Sequence, residues 1–226
     1  MIAETSVQRE MYYSKELYSI GKGIPTCNFT ITPGSVDEYL SLGRMIVSLI
    51  TGNLVQASST IMHTDIGVLP LLSSLIAVNS HYLAILDPDV ADLMPLLTPV
   101  TEIWAYNAAL SFAEYGSCKN NPSLPILGRL QTAPDNADAS FLQFSWNAAS
   151  QPFLLEKGKQ LFIAWVHQFN PPLYTALNVT GEGVGRARVP QFMKGSFVMA
   201  GITTEMVEDL DALSLATLAG PVVLNL

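Results

Sequence analysis

Apolar residues recur at helical spacing through the first half of this chain and at alternating spacing through the second. Residues 6–19 fit a short amphipathic helix ended by Gly21, Gly23 and Pro25. A firmer start follows at Ser35-Val36-Asp37-Glu38, where Ser35 can cap a helix and Glu38 can return a bond to the backbone N–H of the cap. That helix runs towards Met62 and contains Gly43 and Gly52. Each glycine costs roughly 1 kcal/mol against alanine, so the pattern predicts close packing or a kink near residues 51–53. A second helix opens at Pro70 and closes at Asp87-Pro88. On it Leu72, Leu75, Asn79, Tyr82 and Leu86 recur every three or four residues, so an amide and a phenol share an otherwise apolar face. Such groups find partners in a filled core or line a cavity. A third helix is predicted over residues 99–115, with Thr98 as its cap and Gly116 as its stop.

Residues 120–138 are rich in Pro, Asn, Asp and Gly and read as an irregular surface connection. The period then becomes alternating. Strands are predicted at residues 160–167, 173–180, 185–190, 196–202 and 221–226, with a turn at 180–183. The expected fold is α+β: a helical domain with its connector over residues 1–150, followed by a small antiparallel β-sandwich over 151–226.

Composition narrows the function classes. With 226 residues, 49% hydrophobic and 13% charged, the chain can bury one large core or two modest ones. Mean hydropathy is positive, but Ser, Gly, Asn, His and Pro interrupt the apolar runs before the roughly 18 residues of a spanning helix, so no membrane span is expected. A formal charge of −8 with no basic cluster excludes nucleic acid as a partner. Cys27 and Cys118 lack the spacing and companions of a zinc site, and a disulfide is the natural reading in a secreted chain. Two glycosylation sequons start at Asn28 and Asn178, while Asn121-Pro122-Ser123 is excluded by its proline. Residues 1–20 lack the basic and apolar regions of a signal peptide, so a secreted form is expected to begin after a removed leader. No Gly-x-Ser-x-Gly elbow, phosphate loop, dinucleotide fingerprint or His-Glu-x-x-His pair occurs, and Gly181-Glu182-Gly183-Val184-Gly185 reads as a turn between strands.

Several segments carry a family likeness. Near the end these are Phe162-Ile163-Ala164-Trp165-Val166-His167-Gln168, Pro172-Leu173-Tyr174-Thr175-Ala176-Leu177-Asn178-Val179-Thr180-Gly181, Val189-Pro190 and Leu218-Ala219-Gly220-Pro221-Val222-Val223. The middle adds Leu97-Thr98-Pro99, Trp104-Ala105-Tyr106-Asn107, and Phe112 leading to Cys118 and Leu124-Pro125. From about Cys27 onward the chain resembles the secreted fungal ferritin-like proteins of the late sexual development and desiccation-related type. The resemblance implies a bundle in which inward glutamates and a Glu-x-x-His pair hold two metal ions. Here Asn79 and Tyr82 fall on that pair, the preceding carboxylate falls near Leu49-Ile50, and residues 45–61 contain no Asp or Glu. His81 sits one position off the face of Asn79 and Tyr82. Neither a metal nor another cofactor is therefore expected.

A bundle emptied of metal and charge leaves an apolar space with a few neutral polar groups, the usual character of a small-molecule pocket. Met45, Leu49, His63, Leu75 and Trp104 are candidate ligand-binding residues, and Asn79, His81, Tyr82 and Tyr106 are candidate catalytic ones. The bland alternatives stand beside these readings: Asn79 and Tyr82 bonded inside a filled core, Trp104 and Tyr106 as ordinary core aromatics, His63 and His81 as structural histidines, and His167 on a sheet face. The likeness extends to fungal hetero-Diels–Alderases that join a tropolone quinone methide to a sesquiterpene. It implies a cofactor-independent cyclisation of a hydrophobic intermediate, with the polar groups polarising the heterodiene carbonyl and aromatic residues holding the terpene. The alternative is a non-enzymatic secreted cell-wall or developmental protein with a ferritin-like scaffold, and a third is a residual metal-dependent oxidase. The expected partner is a hydrophobic small molecule, and homo-oligomerisation is left open.

Overall fold

A computed structural model describes residues 27–86, 97–114, 116–118, 123–135, 138–150, 159–193 and 197–225. The expected helix over residues 6–19 and the Asp87-Pro88 stop lie outside the described residues. Two compact units form, one from Met1–Thr32 and Phe112–Leu124, the other from Pro33–Ser111 and Pro125–Leu226.

In the smaller unit Cys27 and Cys118 form the expected disulfide. Beside it Phe29 and Ala113 make an antiparallel bridge, and Thr30 N–H donates to Phe112 O at 3.0 Å. The Asn28 N–H donates to Ser117 Oγ at 3.1 Å, and the Thr30 hydroxyl donates to Glu114 at 3.0 Å.

The larger unit begins with helix α1, Val36–Ile61. Ser35 caps it by accepting the Glu38 N–H at 3.1 Å, while the Glu38 carboxylate accepts from Gly34 N–H at 2.6 Å rather than from the cap itself. Asp37 and Glu38 in the first turn oppose the helix dipole. A short 3-10 turn at Ile66–Val68, where Asp65 accepts from Gly67 N–H, leads into helix α2, Leu69–Leu86. A Cβ on Gly43 would lie 3.5 Å from a Leu86 methyl, so the end of α2 returns to the start of α1 and the pair is an antiparallel hairpin. The expected face is the one that packs: Leu72 is buried, Leu75, Asn79, Tyr82 and Leu86 are half-buried, and His81 is exposed.

Helix α3, Glu102–Leu110, is shorter than the expected 99–115. Its cap is Thr101, not Thr98. The Thr98 hydroxyl is already committed, donating to Phe197 O at 2.9 Å and accepting from Gln168 N–H at 2.9 Å. The helix stops early because Phe112 and Glu114 turn their backbone groups to residues 28–30.

Among the described residues eight strands follow where five are expected: β1 Leu130–Pro134, β2 Phe141–Trp146, β3 Phe162–Val166, β4 Leu173–Ala176, β5 Asn178–Gly181, β6 Val184–Arg188, β7 Phe197–Thr203 and β8 Thr217–Asn225. They make two antiparallel four-stranded sheets of order β1-β2-β6-β5 and β4-β3-β7-β8. Strand β1 occupies part of the stretch read as irregular, and the β-structure thus begins upstream of residue 151. Pro134 is tolerated there because β1 is an outer strand. The expected single strand over 173–180 is two strands in different sheets. At the corner Leu177 is buried and its N–H donates to Leu161 O at 2.8 Å. Helix α4, Leu210–Ala216, is capped by Asp209 and feeds directly into β8.

The core contains Leu130, Phe144, Trp146 and Ala187 from one sheet with Ile163, Trp165, Val198, Ala200 and Ile202 from the other. Phe144 and Trp165 meet edge to face at 5.9 Å, an arrangement worth about 0.5–1.5 kcal/mol beyond the area they bury.

The helix pair contrasts with this core. Val36–Ile61 and Ile66–Leu86 are long and apolar enough to cross a membrane by length and composition, and little of either is buried. The polar interruptions therefore do not shorten these runs as the sequence reading expects.

Gly52 fixes how α1 meets the rest of its unit. A Cβ there would collide with Thr98 O and lie 2.8 Å from a Val100 methyl. Gly52→Ala is expected to destabilise by about 1–3 kcal/mol, with a fall in melting temperature of roughly 2–4 °C per kcal/mol. An unchanged melting temperature would contradict this packing. The disulfide spans 91 residues, and a loop of that size lowers the unfolded state's entropy by the equivalent of about 4 kcal/mol. Cys27→Ser with Cys118→Ser should lower the unfolding free energy by that order in denaturant titration, whereas an unaltered midpoint would count against it.

Candidate functional site

The candidate residues divide into two groups. The first lies on the hairpin. Leu49 is buried on α1 and Met45 is half-buried; Leu75, Asn79 and Tyr82 are half-buried on α2; His81 faces outward, and His63 is exposed in the turn between the helices. The Asn79 amide sits on the half-buried face of α2. The stretch from Ile66 through α2 to Leu86 contains no Asp, Glu, Lys or Arg. Its polar groups are neutral hydroxyls, an amide and the imidazole of His81, which suits contact with an uncharged apolar molecule.

The second group lies on α3. Trp104 is buried at 3% exposure, and its indole N–H donates to Thr217 Oγ1 at 3.0 Å, whose hydroxyl donates on to Leu213 O at 2.7 Å. It is a pin between α3, α4 and β8. Asn107 is equally committed: Nδ2 donates to Ile103 O and Pro125 O, both at 2.8 Å, and Oδ1 accepts from Leu127 N–H at 2.7 Å. Tyr106 differs. Its ring is half-buried, and its hydroxyl is buried with no hydrogen-bond partner. A buried hydroxyl without a partner costs roughly 1–3 kcal/mol, so a native structure that keeps one invites a functional reading.

Two further unpartnered nitrogens fall outside the expected site. Trp146 Nε1 is buried in the core between the sheets, on a strand the sequence reading passes over. His167 Nε2 is buried just beyond β3, next to Gln168, whose φ of 54° is left-handed for a side-chain-bearing residue. Thr98, read as a helix cap, instead holds that turn through Gln168 N–H. Its signal in the sequence is only the Thr-Pro pair, which a cap shares.

Among the described residues no cluster of three or more His, Cys, Asp or Glu is placed to hold a metal ion. Asn79 and Tyr82 offer an amide and a phenol where the resemblance implies a carboxylate and an imidazole, and this donor set does not fit a pair of hard dications. No protein-family model matches the chain, and no curated protein does.

Desolvation holds the His167 imidazole below its ordinary pKa. The unfolded chain then takes the proton first as pH falls, so stability is full above about pH 6.5 and declines below it until the folded form protonates too. His167→Gln should flatten this part of the stability–pH curve. An equal slope in variant and wild type would show that His167 does not set it.

Proposed function

We propose that the protein binds a hydrophobic small molecule without a cofactor and cyclises it by holding its reacting ends in register. In its most concrete form the reaction is a hetero-Diels–Alder cycloaddition of a tropolone quinone methide with a sesquiterpene, on a degenerate ferritin-like helical part joined to a β-sandwich. The observation that carries this reading is the buried, unpartnered hydroxyl of Tyr106. A neutral donor of that kind can hydrogen-bond a carbonyl that gains negative charge in the transition state. The uncharged helix α2, with Asn79 and Tyr82 on its half-buried face, supplies apolar surface and neutral hydrogen-bonding groups for the rest of the ligand. Positioning supplies most of the acceleration in such a reaction, because no proton or electron must be delivered.

A second reading, a non-enzymatic wall or developmental protein, is favoured by a different observation. Val36, Tyr39, Ile50, Leu71 and Ile85 are exposed apolar side chains on the helix pair, a surface suited to a protein partner.

Thermal shift of the metal-free protein with tropolones and humulene-type terpenes separates the two. Binding to the native state raises the melting temperature in a saturable way, and the scaffold reading gives no shift. Tyr106→Phe then tests the site. The unliganded variant should be as stable as wild type or slightly more so, because the lost hydroxyl has no partner. Its ligand affinity should fall roughly 3- to 10-fold, the equivalent of one neutral hydrogen bond. Equal affinity in the two proteins would remove Tyr106 from the site.

A further inference from the structure

Asn178 begins the sequon Asn178-Val179-Thr180 and also begins strand β5, the outer strand of its sheet. All four residues of β5 are exposed. The pairing slips between Val179 and Gly181, which leaves Thr180 unpaired at a bulge. The Asn178 side chain is exposed.

Its surroundings form a platform. Asn178 pairs with Arg186, and Arg186 pairs with Gln143, so the three side chains form a row on the outward face of the sheet. The Arg186 guanidinium lies 5.3 Å from the centre of the Phe141 ring and 3.9 Å from Asp135. A flat cation over an aromatic ring next to an amide presents donors and an apolar surface together. The Cys27–Cys118 disulfide fits passage through an oxidising compartment, where such sequons are used.

We propose that Asn178 carries an N-linked glycan that covers the outer strand β5 and lies along the Gln143–Arg186 row. In the transfer, Asn178 Nδ2 bonds to the anomeric carbon of an oligosaccharide carried on a lipid pyrophosphate. The carbon–oxygen bond to the pyrophosphate breaks, the lipid pyrophosphate leaves with the electron pair, and the amide proton passes to solvent. An outer strand with free backbone groups is a template for pairing with another chain, and a bulky hydrophilic glycan at its first residue blocks that approach. This assignment does not depend on the ligand reading.

The full chain behind a cleavable leader, translated into microsomes, tests it on the protease-protected fraction. Glycopeptide analysis is expected to find Asn178 occupied, with occupancy lost in both Asn178→Gln and Thr180→Ala. Enzymatic removal of the glycan from the folded protein should raise its self-association, read by light scattering. An unmodified Asn178 in the protected chain, including a chain modified at Asn28 alone, overturns the site. Unchanged scattering after removal overturns the shielding role.

Discussion

Helix α1 packs onto residues 98–100 because residue 52 has no side chain. At that point Val100 N–H donates to Gly52 O at 3.0 Å, and Asn53 Nδ2 donates to Val100 O at 3.1 Å. The same short segment bears Thr98, whose hydroxyl bonds to Phe197 on β7 and Gln168 after β3. A chain of contacts thus runs from the middle of α1 through Val100 and Thr98 to the start of β7 and the turn after β3. Helix α2 has one buried residue, Leu72, and depends on α1 for its position. α3 follows directly from the same segment, so Tyr106 is oriented by it as well.

Legibility in the sequence followed how local each signal is. Ser35 with Glu38 and the packing face of α2 are set by spacings of three to seven residues, and they appear where the pattern places them. Gly52 was readable as a point of close approach, but its partner lies 46 or more residues away and leaves no periodic trace. Thr98 shows the limit clearly: Thr before Pro is a good cap by local rules, and tertiary bonds to residues 168 and 197 take its hydroxyl instead. Strand β2, Phe141-Leu142-Gln143-Phe144-Ser145-Trp146, has half-buried or buried aromatics at most alternate positions and was open to discovery. By contrast, the division of residues 173–180 into β4 and β5 was not, since a corner at a buried leucine continues the apolar pattern without a break.

Which helix face each candidate residue takes was legible; its hydrogen-bond commitments were not. Sequence periodicity puts Asn79 and Tyr82 on one face and His81 off it, and the structure has that arrangement. What sequence cannot separate is a committed aromatic from an uncommitted one. Trp104 and Tyr106 stand two residues apart on a short helix; one spends its only donor on Thr217, and the other has a buried hydroxyl with nothing to bond. The difference comes from the turn angle of the helix and from α4 and β8, which the sequence reading does not assemble into one neighbourhood.

The apolar helix pair raises a question of solvent that Gly52 answers. A helix that crosses a bilayer needs about 20 residues clad in lipid. On α1 the stretch from Val36 to Thr51 is shorter than that, and the stretch beyond Asn53 shorter still. Withdrawing Gly52 and Asn53 from Val100 would expose the backbone groups they satisfy, at a cost of several kcal/mol for each group left unpaired in hydrocarbon. Gln56 strengthens the attachment with a 3.3 Å bond to Asp211, a carboxylate that belongs at an aqueous surface. As seated, therefore, α1 does not span a membrane through its whole length. The exposed apolar faces of α1 and α2, with no charged residue between Ile66 and Leu86, are the least covered apolar surface of the unit.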